Sequence, residues 1–374
     1  MKYILILVVL ILPFSFLAFE DTEVVSVKDR QLLVNQTPYF IKGICYNPVK
    51  KGRVERDFTN IDLDLALMNE AGINTIRVYS PIDDVSVLDK IAAAGIKVIT
   101  SFGYNQDGYF DIVSGSYLDY VNSYKNHKAI LLWELGNEYN YHPEWFDGDI
   151  KNWYTSLQNA ADAIHQNDSN HPVASAHGEL PNSDVLAATT NIDLWGLNVY
   201  RWDNPEAIFN EWSQISDKPM YLSEAGSDSY MTIANYGFSK GDNQEAQAQA
   251  LTNILNDVFE YKAINTGVLV FSFTDELWKA GSPESQDVGG WAPESSGVPY
   301  DGTANEEYWG VLDVNRHKKK AFNVLKKFYN TLEDPDNPYA GYSLNREIDI
   351  IWETDDYPDE YYSEVMDQLY LSED

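Results

Sequence analysis

AILLWELGNEYNY, residues 129–141, is an apolar run that stops abruptly at a polar pair. Its first half is continuously hydrophobic and contains an aromatic, the pattern of a strand buried on both faces. It then breaks at Gly136 and delivers an amide and a carboxyl, Asn137 and Glu138. Parallel barrels present reactive groups this way, at the C-terminal ends of their strands. A solvated turn can read the same, so the flanking chain has to decide.

Outward from that stretch the chain alternates. On the N-terminal side, spacing predicts a helix over 57–71 stopped by Gly72, a strand over 74–80, and a helix over 83–94 stopped by Gly95. A strand over 96–102 and a helical stretch over 111–127 follow. Before them, residues 24–46 read as a β-hairpin turning at Asn35-Gln36 and running into a strand over 39–46. On the C-terminal side, strands are expected over 172–176, 192–200, 219–224 and 267–273. Helices are expected over 149–166, 183–189, 205–215, 244–262 and 319–329. Eight strands interleaved with eight helices fit an α/β (β/α)8 barrel better than an open doubly wound sheet. The expected organisation is one barrel domain over 22–334, its bottom plugged by the N-terminal hairpin.

The strand ends can then be listed for their chemistry. They offer Asn47; Arg77 and Tyr79; Tyr104; Asn137 and Glu138; His177; Asn198, Tyr200 and Trp202; Glu224; and Asp275 with Glu276. No serine nucleophile elbow, phosphate-cradling glycine loop or HExxH helix is present. Two separated glutamates among tyrosines, amides and an arginine are the set that glycoside hydrolysis requires. One carboxyl must give a proton to the leaving oxygen while the other attacks the anomeric carbon. Strands four and seven place Glu138 and Glu224 to face each other across the barrel mouth.

The motifs GICYNP (43–48), NTIRVYS (74–80), LWELGNEY (132–139), DLWGLNVYRW (193–202) and PMYLSEAG (219–226) occur in the order found in clan A retaining glycoside hydrolases. GICYNP resembles the first-strand motif of family 72, the β-1,3-glucanosyltransferases, and that of family 2. WELGNE is also similar to family 5 mannanases, and NEEYWGVLD (305–313) to the end of the family 2 barrel. The resemblance implies Glu138 as general acid/base and Glu224 as nucleophile. It implies that Asn137 bonds the sugar 2-hydroxyl, that Tyr200 donates to the nucleophile, and that Arg77 holds its charge. Asn47, Tyr79 and Tyr104 would line the substrate site. The implied activity is a retaining glycosidase or transglycosylase on β-linked glucan, β-1,3-glucan preferred. An endo-β-mannanase, another β-glycosidase of the clan, and an inert carbohydrate-binding barrel are the alternatives.

Plainer roles stand beside these. Glu134 on the same strand reads as the partner of a buried cation, and His177 as a satisfied rim residue. Trp202, Trp278 and Trp291 serve equally as sugar platforms or as loop packing. Asp275 and Glu276, opening a long loop over 275–317, fit either substrate or a structural cation.

Composition agrees with a carbohydrate partner. The 374 residues carry 58 acidic against 26 basic side chains, a net charge of −32 that repels nucleic acid and anionic membranes. Aromatics make up 14 %, with 10 Trp and 26 Tyr, enough both to fill a core and to stack on sugars. Cys45 is the single cysteine, so no intramolecular disulfide forms, and it reads as a buried free thiol. No cofactor and no metal are expected. Residues 1–19 have the pattern of a signal peptide or an uncleaved anchor, so the chain is expected to be exported: secreted, periplasmic or at the cell surface. That anchor is the expected membrane contact. The acidic tail over 335–374 reads as an arm over the barrel or as a disordered segment.

Overall fold

The computed structural model describes residues 23–201, 204–290 and 300–331. The leader, Trp202, Trp291 and the acidic tail lie outside the described residues. Eight parallel strands close into a barrel. They are β1 (Ile41–Cys45), β2 (Thr75–Val78), β3 (Lys97–Phe102), β4 (Ile130–Asn137), β5 (Val173–Gly178), β6 (Leu194–Asn198), β7 (Met220–Gly226) and β8 (Asn265–Phe271). Each strand pairs with its sequence neighbours, and β8 pairs with β1 to complete the ring. Eight helices surround it: α1 (Ile61–Ala71), α2 (Val85–Ala93), α3 (Tyr117–Tyr124), α4 (Ile150–Asn167), α5 (Ser183–Ala188), α6 (Glu206–Ile215), α7 (Gln244–Glu260) and α8 (Lys320–Thr331). The expected barrel is therefore the observed one. The largest boundary difference is α3, which begins at Tyr117 because Asp111 ties the preceding segment into turns. Its carboxylate accepts hydrogen bonds from the backbone N–H of Gln106, Gly108 and Ser114.

Strand alternation divides the apolar residues into two layers. Ile41, Ile99, Leu194 and Leu269 point into the barrel. Ile44, Ile76, Val98, Trp195 and Val268 point outward and meet the helices. Trp133, Trp153, Trp195 and Trp212 are among the largest fully buried side chains, so much of the tryptophan is core rather than sugar-facing. Cys45 is buried, and burial pushes its thiol up to about 12, which makes it inert as a nucleophile.

The N-terminal segment is a three-stranded meander, Val25–Lys28, Gln31–Val34 and Thr37–Pro38, rather than a single hairpin. Its second turn is Asn35-Gln36 as expected, both at positive φ. Val25 and Leu32 pack into the barrel-interior layer and close that end. At the ring's outer seam, Glu70 on α1 accepts from Lys318 and Lys326, fastening α1 to α8 and its approach.

Candidate active site

Arg77 on β2 is fully buried and organises the site. Its Nε donates to Glu134 at 2.8 Å, one terminal nitrogen to Glu224 Oε1 at 2.7 Å, and the other to Asn137 Oδ1 at 2.8 Å. One guanidinium thus gathers groups from β4 and β7, which stand three positions apart round the ring. Burial works against the cation, but Glu134, Tyr79 and Glu224 outweigh it and hold Arg77 well above its ordinary range. Glu134 also accepts from Ser101 and, at 2.6 Å, from Tyr221, so it is the structural counter-ion expected of it.

Glu224 ends the apolar run of β7 and accepts from three donors. Arg77 and Tyr79 reach Oε1 at 2.7 and 2.8 Å, and Tyr200 reaches Oε2 at 2.6 Å. Burial pushes the phenols of Tyr79 and Tyr200 well above their usual range, so both stay protonated and donate. The carboxylate is fixed in direction by partners from the ends of two strands, β2 and β6.

Glu138 follows β4 in a left-handed conformation, φ 53°, directly after Gly136 at φ 72° and Asn137. Its N–H donates to Ala176 O on β5, and its carbonyl accepts from Tyr141 N. Burial, then the charge of Glu224, raise its carboxyl to about 7; the Asn198 side chain pulls the other way. Two carboxyl groups thus sit in one cleft with opposite environments, one surrounded by donors and one driven toward the protonated form.

Asn137 has its orientation decided for it. Its Oδ1 accepts from Arg77 and, at 3.1 Å, from Asn198, which leaves the NH2 to donate into the cleft. Asn198 is held in turn by Ser223 Oγ at 2.7 Å. Asn47 lies past the end of β1, half-buried. Tyr104 turns its ring against Phe146 and Trp153, centroids 4.8 and 6.1 Å away, as part of an aromatic cluster under the β4–α4 loop. His177 points away from the mouth, with Nε2 3.1 Å from Tyr154 on α4; burial lowers its affinity for a proton, and it is neutral. Asp275 is an anchor for the long loop: it accepts from Lys319 at 2.6 Å and from Gly310 N at 3.0 Å.

Lys279 carried no signal in the sequence, since it lies in the irregular loop beyond β8. It sits 4.2 Å over the Phe271 ring and 5.6 Å from that of Trp278. Its ammonium is 3.0 Å from Glu276 and 3.6 Å from Glu306. Burial pulls its pKa down, yet Glu276, Glu306 and Glu224 leave it raised. No group of three His, Cys, Asp or Glu among the described residues is placed to hold a metal ion.

The family model for glycosyl hydrolases family 2, TIM barrel domain, matches residues 25–273. The chain belongs to that family. Within it, the barrel is similar to a β-galacturonidase from Eisenbergiella tayi, with a TM-score of 0.64 at 20 % identity, over 83 % of this chain and 55 % of that one. A β-glucuronidase from Faecalibacterium prausnitzii superposes with a TM-score of 0.63 at 19 % identity, over 82 % and 51 %. In sequence, the 1,3-beta-glucanosyltransferase GAS4 of Saccharomyces cerevisiae is 25 % identical over 265 residues, 58 % of this chain and 55 % of that protein. The chain therefore spans about half the length of these relatives.

Proposed function

We propose that this family 2 glycoside hydrolase barrel is a retaining β-glycosidase or transglycosylase that works by double displacement on a neutral β-linked glucan, with β-1,3-glucan preferred. One observation carries the reading: Glu224 is clasped by Arg77, Tyr79 and Tyr200, while Glu138 beside it is raised to about 7. In the first step Glu138 gives its proton to the glycosidic oxygen as that oxygen leaves the anomeric carbon. Glu224 attacks the same carbon and forms a glycosyl ester. Esterification removes the Glu224 charge, so the pKa of Glu138 falls and its carboxylate can act as base. It then takes a proton from water or from a sugar hydroxyl, whose oxygen displaces Glu224 and completes hydrolysis or transfer. Arg77 keeps Glu134 as counter-ion throughout, so the ester does not leave a buried cation unpaired.

A neutral donor is supported by Lys279, whose ammonium already faces two carboxylates, Glu276 at 3.0 Å and Glu306 at 3.6 Å. The preference for β-1,3-glucan is supported by the first-strand motif and by the glucanosyltransferase relative. The leader pattern at 1–19 is consistent with export to where such polymers occur.

Kinetics on nitrophenyl β-glucoside, β-mannoside and β-glucuronide test the donor. The glucoside is expected to be turned over at least about tenfold faster than the glucuronide, and the reverse order would refute a neutral donor. Glu224→Ala and Glu138→Ala should each abolish hydrolysis of an oligosaccharide, and with azide and an activated aryl β-glycoside the Glu138 variant should yield the β-glycosyl azide and the Glu224 variant the α-glycosyl azide. Near-normal activity in either variant would sink the assignment.

A further inference from the structure

The loop that leaves Glu138 carries two large aromatic rings that the fold holds in place and does not cover. Tyr141 is 55 % exposed and Trp145 53 % exposed. Single exposed hydrophobics are ordinary, but two prepositioned rings on the acid/base loop call for a partner. Tyr141 lies over Gly178 at the end of β5, where an added Cβ would fall 2.1 Å from its ring. The adjacent Asn140 clips the loop to that glycine, accepting from Gly178 N at 2.8 Å and donating to its carbonyl at 3.1 Å. Trp145 is backed on one face by His142, stacked at 3.9 Å and 8°, and held edge-on by Tyr139 with centroids 5.5 Å apart. His142 is in turn fixed by Glu144 at 2.8 Å. The ring positions are therefore set before any ligand arrives, which removes much of the ordering entropy from binding.

The acid/base must lie within hydrogen-bond reach of the leaving oxygen, so the leaving sugar occupies the Glu138 side of the cleft. The chain leaves Glu138 from that side, and Tyr141, three residues on, lies close enough to feel its charge. We propose that Tyr141 and Trp145 form an acceptor platform on which the sugars beyond the scissile bond of a neutral β-linked oligosaccharide stack by their C–H faces. This rests on the reading of Glu138 as the acid/base. A platform of this kind raises the occupancy of the acceptor relative to water at the glycosyl ester, and so favours transfer.

Tyr141→Ala, Trp145→Ala and the conservative Tyr141→Phe and Trp145→Phe variants, measured on laminaripentaose and on nitrophenyl β-glucoside, test this. For each alanine variant, kcat/KM for laminaripentaose relative to the aryl glucoside is expected to fall about tenfold, mainly through KM. The ratio of transfer to hydrolysis products should fall with it, and the phenylalanine variants should restore most of both. An unchanged ratio in both alanine variants, or an equal loss on both substrates, would overturn the platform and leave the glycosidase reading standing. A wild-type protein that turns over no β-glycoside would refute that reading and the platform together.

Discussion

Glu138 shows how one side chain's environment sets its task. A carboxyl raised to about 7 is protonated below that pH and able to donate, so kcat/KM should fall as pH rises through about 7. Burial is the larger cause and the charge of Glu224 the second, which separates two contributions experimentally. In Glu224→Gln the second cause is gone and the first remains. Direct titration of Glu138 in that variant should give a pKa below that of the wild type and still above an ordinary glutamate; an unchanged value would mean that the two groups do not interact. Glu134 can be probed in the same spirit. Glu134→Gln leaves Glu224 as the one carboxylate on Arg77, which still donates to Asn137, and strengthens its hold on Glu224. Attack should slow, with kcat/KM lowered about 10- to 100-fold for the loss of a charged hydrogen bond, while KM for the aryl glucoside changes little. Stopped-flow detection of nitrophenol release checks it.

At the scale of the element, strands β4 and β7 use one device. On β4, Glu134 points into the barrel, and strict alternation would send Asn137, three residues later, to the other face. A register shift against β5 between Leu135 and Asn137 corrects the parity. On β7, Tyr221 points inward to Glu134, and the matching shift against β6 falls between Leu222 and Glu224. Glu138 and Glu224 thus both stand just past an irregularity that re-aims the strand end. Gly136 makes the first of these possible, because at φ 72° an added Cβ would lie 2.6 Å from the Trp153 ring. Gly136→Ala must therefore distort the turn that presents Glu138. Activity on the aryl glucoside should drop by about 100-fold or more, with a loss of stability of about 2 kcal/mol from the left-handed backbone alone. Wild-type kinetics in this variant would show that the turn has slack the structure does not display.

For the whole molecule, chemistry and stability are divided between the two ends of the barrel. The C-terminal ends of the strands carry buried charge arranged around Arg77, and the opposite end is sealed by the meander. Leu32 is 1 % exposed within that seal. Leu32→Ala should cost about 2–5 kcal/mol in urea unfolding, with kcat on the aryl glucoside within about twofold of wild type. A stable variant with crippled turnover would mean that the plug shapes the site.

The sequence by itself determined the barrel, because alternating apolar strands and glycine-stopped helices are local patterns that survive without tertiary context. It also placed Arg77, Asn137, Glu138, Tyr200 and Glu224 at strand ends, where a single polar residue stands out against an apolar run. Tertiary structure decided the rest. Parity along β4 and β7 depends on pairing with neighbouring strands, so no spacing rule could say which way Asn137 or Glu224 faces. Tyr104 stood at the end of the third strand like the others, and packing against Phe146 and Trp153 took its ring into a cluster. Lys279, in a loop without periodicity, reaches the mouth only because the fold carries that loop over Phe271. The rings of Tyr141 and Trp145 read as ordinary loop aromatics until Gly178 and His142 hold them in place. Neighbours distant in the chain decide orientation and burial, and these separate the carboxyl clasped by three donors from the one driven toward its protonated form.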